Sequence, residues 1–68
     1  MKYIIYGFNK IIAIADTLTE LDFWLTKLLS TVSLDNLTYC TIYKFNSDKQ
    51  IIAEKPVMEY VKEYKLNL

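Results

Sequence analysis

A chain of 68 residues makes one domain at most and buries only about 60% of the surface its unfolded form exposes, so its stability margin is thin. Cys40 is the only cysteine and histidine is absent, which excludes an internal disulfide and a zinc cluster of the Cys/His kind. Eight lysines balance eight acidic residues without any arginine, so no broad electrostatic attraction to nucleic acid or anionic membrane is expected.

Residues 2 to 8, KYIIYGF, are rich in β-branched and aromatic side chains, and Asn9-Lys10 separates them from IIAIA at 11 to 15. The pattern predicts two strands joined by a tight turn at Asn9-Lys10, with Asn accepting the positive φ that such turns require. Only Lys2 is charged early in this segment and Asn9-Lys10 interrupts its apolar run. It makes a poor signal peptide and is too short to span a bilayer, so a cytoplasmic location with Cys40 reduced is expected.

Thr17-Leu18-Thr19-Glu20 has the spacing of a capping box and predicts the start of a helix. At 100° per residue, Leu18, Leu21, Trp24, Leu25, Leu28, Leu29 and Val32 share one arc, which predicts a helix lying over the core and ending near Ser30 to Ser33. Phe23 points the other way, among Thr19, Thr26, Lys27 and Ser30. It reads either as a lone exposed aromatic or, with Lys27, as a contact anchor.

Residues 38 to 45, TYCTIYKF, read as a strand, NSDKQ as a turn and IIAE at 51 to 54 as the returning strand. Pro56 stops the sheet or opens a helix. Val57, Tyr60, Val61, Tyr64 and Leu68 share a helical face, predicting a helix over 57 to 66 with a strand or extended tail as the competing reading.

The expected architecture is one α+β domain over residues 1–68: a four-stranded antiparallel sheet in ββα-ββ(α) order, helices on one face. It divides into a ββα unit at 2–32 and a ββα-like unit at 38–66. Ile5-Tyr6-Gly7-Phe8-Asn9 matches Ile42-Tyr43-Lys44-Phe45-Asn46, and Ile11-Ile12-Ala13 matches Ile51-Ile52-Ala53. These matches suggest an internal repeat, against the alternative that Ile- and Tyr-rich hairpins share letters by composition.

Alternation along the strands divides the sheet into two faces. Pairing Phe8 with Ile11 puts Ile4, Tyr6, Phe8, Ile11, Ala13 and Ala15 on one face, with Tyr39, Tyr43, Phe45, Ile51 and Ala53 beside them. The other face carries Ile5, Ile12, Ile14, Ile42 and Ile52 together with Asp16, Lys44 and Glu54. Because unpaired charges are costly to bury, the first face is expected under the helices. The five isoleucines and Lys44 would then be exposed and would call for a protein cover; with the assignment reversed, the exposed face is the aromatic one and the need for a cover remains.

No catalytic set is legible. Cys40 has no histidine to activate it, and Asp16, Glu20 and Asp22 near a helix start are accounted for by the helix dipole. Gly7 stands alone, without a phosphate-cradling motif, and no metal or cofactor site is expected. The expected function is a non-enzymatic protein-interaction module that pairs with itself as a homodimer or binds a larger protein as an inhibitor or adaptor. Its Ile-, Lys-, Asn- and Tyr-rich composition fits an AT-rich genome such as a low-GC bacterium, its phage or a mobile element. The candidate contact residues are Phe23, Lys27, Ile5, Ile12, Ile14, Ile42, Lys44 and Ile52. The alternative is single-stranded nucleic-acid binding on an aromatic sheet face, which the acidic residues among Lys44, Lys49 and Lys55 make less favourable.

Overall fold

A computed structural model describes residues 2–64. The chain forms strands β1 (Lys2–Gly7) and β2 (Lys10–Ala15), helix α1 (Leu18–Thr31), a short 3-10 helix (Leu34–Tyr39), strands β3 (Cys40–Phe45) and β4 (Ile51–Pro56), and helix α2 (Val57–Tyr64). The four strands make one antiparallel sheet in the order β2-β1-β3-β4, so the two hairpins lie side by side with β1 and β3 at the centre. This is the α+β arrangement expected from the sequence, with both helices packed into a single core on one side of the sheet. Residues 65 and 66 of the expected second helix, and Leu68, lie outside the described residues.

The first turn sits one residue earlier than expected. Gly7 pairs with Lys10, and the two central residues are Phe8 and Asn9, at φ 54° and 63°. Two positive-φ residues in a two-residue loop match the right-handed twist of the flanking strands. Asn adopts that conformation readily, but an aromatic residue does so at a cost. Part of this cost is offset by the Phe8 ring, which packs against Tyr39 at 5.9 Å between centroids.

In the second turn, the Asn46 side chain accepts backbone N–H bonds from Asp48 and Gln50 at 2.9 and 3.0 Å, and Lys49 takes the left-handed conformation. One asparagine thus replaces the backbone partners that the turn residues lack. Residues 38 and 39, expected in the third strand, instead close the 3-10 helix, which buries Leu37 in the core and leaves Tyr39 exposed.

Helix α1 begins as its sequence dictates. The Glu20 amide donates to the Thr17 hydroxyl at 3.1 Å, and the Glu20 carboxylate accepts from the Asp16 amide at 3.0 Å, one residue before the cap. Leu21, Leu25 and Leu28 are buried against the sheet; Leu18 and Trp24, expected on the same arc, are exposed. The sheet covers a stripe narrower than the full apolar arc. Leu18 instead borders a cleft with Leu21, Ile42, Lys55 and Tyr60. Helix α2 buries Val57 and Val61, and its Glu63 holds Lys55 of β4 in an ion pair at 2.6 Å.

Candidate interaction surface

The two sheet faces are the reverse of the expected assignment. Ile5, Gly7, Cys40 and Ile42 lie on the helix side, where Ile5 and Ile42 are only 1% and 5% exposed, so neither belongs to a docking surface in this fold. Tyr6, Tyr43 and Phe45 lie on the open side. The physical reason is in the hydroxyls: a core of tyrosines would require buried partners for each phenol, whereas Ile, Cys and Ala require none. Asp16 and Glu54, which motivated the opposite assignment, are exposed. Lys44 does reach the helix side, but its stem is half-buried while its amine sits 5.8 Å from the Tyr3 ring centroid.

Edge strands β2 and β4 do not follow simple alternation, because each carries a bulge. Tyr6 pairs with Ile11 and Ile5 with Ala13, leaving Ile12 as an extra residue; Phe45 pairs with Ile51 and Lys44 with Ala53, leaving Ile52 extra. Each bulge puts residues three apart on the same side. Ile11 and Ile14 therefore both face outward while Ala13 and Ala15 are buried beneath the helices.

The open side is consequently a small grid. Ile14, Ile4, Tyr43 and Glu54 stand in one row across the sheet, Ile11, Tyr6, Thr41 and Pro56 in a second, and Lys2, Phe45 and Ile51 in a third. Asp16 extends the third row, 4.0 Å from Lys2. Ile4, Tyr6, Ile11, Tyr43, Phe45 and Ile51 line a shallow groove of about 320 Å³ along this face. An apolar, aromatic centre bordered by Lys2, Asp16, Lys49 and Glu54 has the pattern found in protein contacts, apolar in the middle and charged at the rim.

The other candidates are scattered over four places. Phe23 is 53% exposed on the solvent side of α1, with the Lys27 amine 4.8 Å from its ring centroid and 5.5 Å from that of Trp24. The two rings meet edge to face. This cluster is separated from the open sheet face by the core, so the two cannot form one surface. Ile14 lies in the open grid, Ile12 is half-buried against the core, and Ile52 is exposed at the β4 bulge.

Ile4, Tyr6, Ile11, Tyr43, Phe45 and Ile51 were not among the sequence candidates. The signal that would have selected them is the hydroxyl burial cost, weighed against the two carboxylates.

Chemistry elsewhere is sparse. Cys40 is buried, and desolvation pushes its thiol pKa up, opposite to what a nucleophile needs. Among the described residues, no group of three or more His, Cys, Asp or Glu side chains could hold a metal, and no helix is long and apolar enough to cross a membrane. Comparison with known proteins finds no matching family model, no similar curated protein and no similar solved structure.

Proposed function

We propose that this domain is a non-enzymatic protein-interaction module whose docking surface is the open face of the sheet, acting as an inhibitor or adaptor on a larger protein or by pairing with itself. The observation that carries this reading is the row of exposed and half-buried Ile, Tyr and Phe side chains around the groove, on a chain of zero net charge. The sheet edges support the face as the contact site. Bulges at Ile12 and Ile52 distort both outer strands, and β4 adds Glu54, Lys55 and Pro56, all of which discourage strand addition.

A photo-crosslinking amino acid at Tyr43, compared with one at Phe23, tests the reading in living cells. Cross-links from position 43 to protein, lost when Ile11→Asp is added, are expected. Protein cross-links from position 23 alone, or none from either, would overturn it. Oligonucleotide retained at low salt and released by Tyr6→Ala or Tyr43→Ala would reassign the surface to single-stranded nucleic acid.

A further inference from the structure

We propose that the occupant of the open face is a second copy of this chain, packed with its strands crossing at about 90°, so that Lys2 of each copy meets Glu54 of the other. This rests on the reading of the open face as a docking surface and names what covers it.

The argument comes from the register. Four strands of six residues give a face ~19 Å wide and ~20 Å long, nearly square, so two copies overlap as fully when crossed as when aligned. A face-to-face pair is related by a two-fold axis lying in the plane between the sheets. An axis along the strands sets Glu54 over the apolar Ile14 of the other copy. An axis across the strands sets Glu54 over Glu54. The diagonal through Asp16 and Pro56 sets Asp16 on Asp16.

The remaining diagonal, from Ile11 at one corner to Ile51 at the other, brings both isoleucines onto their own copies and Tyr6 over Ile14. It carries Lys2 onto Glu54, twice by symmetry, and sets Asp16 over Pro56, where no like charge opposes it. Among the charges of the three rows, this is the one arrangement of the four that buries the apolar centre while pairing opposite charges; Lys49 lies in the turn beyond Ile51, off the rows. Two of the alternatives place like charges in contact, and the third sets a carboxylate on an apolar side chain, so each is disfavoured.

A shared face of roughly 400 Å² is small beside the ~800 Å² per partner of a standard interface, so the dimer is expected at micromolar concentrations and above. Rim ion pairs are screened by salt, and the dissociation constant should rise between low and high ionic strength.

Sedimentation equilibrium on the intact chain tests this. The wild type should dimerise reversibly. Lys2→Glu and Glu54→Lys should each raise the dissociation constant at least about tenfold, because each places like charges together, and the double swap Lys2→Glu/Glu54→Lys should restore it to within about threefold of wild type. Both residues are exposed, and circular dichroism checks that each variant is folded. A wild type that stays monomeric to millimolar concentration, singles that leave the dimer unchanged, or a folded double swap that fails to restore it would overturn the inference. A monomer whose position-43 cross-links to other proteins persist would leave the functional proposal standing and remove only the second copy.

Discussion

Ile5 and Ile42 face each other across the two central strands, and both are buried beneath the helices. Each hairpin contributes one of these side chains, so the pair joins the two halves of the domain at the centre of its core. Ile5→Ala or Ile42→Ala should cost about 2–5 kcal/mol in urea unfolding. The double variant should depart from additivity, since the two sites share one space. Additive losses below about 1 kcal/mol each would mean that the hairpins are not joined there.

Gly7 marks a close approach between β1 and β3. A Cβ at this position would lie 2.7 Å from the Cys40 sulfur and 2.9 Å from the Tyr39 carbonyl oxygen. Gly7→Ala should therefore destabilise the domain by about 1–3 kcal/mol. Adding Cys40→Ala should recover only part of the loss, because the carbonyl remains. Full recovery in the double variant would assign the whole clash to sulfur.

Lys49 holds a left-handed backbone conformation at φ 62° in an exposed turn. Lys49→Gly removes the Cβ penalty and should stabilise the protein by about 0.5–1 kcal/mol, read as a raised melting temperature. The same substitution at Phe8, also at positive φ, should gain less because it forfeits the ring contact with Tyr39.

The buried thiol gives a pH dependence. Burial raises the Cys40 pKa in the folded state, so the unfolded chain ionises first as pH rises. Between the two pKa values the folded state binds more protons. Stability is thus fully present below the unfolded value and declines from about pH 8.5 upward. The measurement is the difference between wild type and Cys40→Ala across pH 7 to about pH 10, which cancels whatever the two proteins share. Parallel curves would show that the thiol does not contribute.

The Thr17 cap anchors α1. Thr17→Ala removes the acceptor for the Glu20 amide and should cost about 1 kcal/mol, whereas Thr17→Ser should leave stability nearly unchanged. Equal losses in both variants would point to the methyl group instead.

Element identity was legible because it is a local property. Thr17 and Glu20 mark the helix start, Leu21, Leu25 and Leu28 mark its buried stripe, and Asn46 with its polar neighbours marks the second turn. The 3-10 helix escaped notice because Thr38-Tyr39 reads as strand until Leu37 is seen to need a place in the core. Of the candidate surface only Ile14 was legible, since it lies in the open grid. Phe23 and Lys27 stand apart on α1, and Ile5 and Ile42 lie beneath the helices.

By itself, the sequence determined the order of strands and helices, their near boundaries, and an apolar content too large for both sheet faces to be hidden by two helices. Tertiary structure alone decided which face lies open. A strand's side chains alternate with period two, so a turn displaced by one residue or a single bulge residue moves a whole set of side chains across the sheet. Here the turn centres on Phe8-Asn9 and the bulges fall at Ile12 and Ile52. Those three positions are fixed by pairing across strands and by packing beneath the helices, which no local pattern encodes.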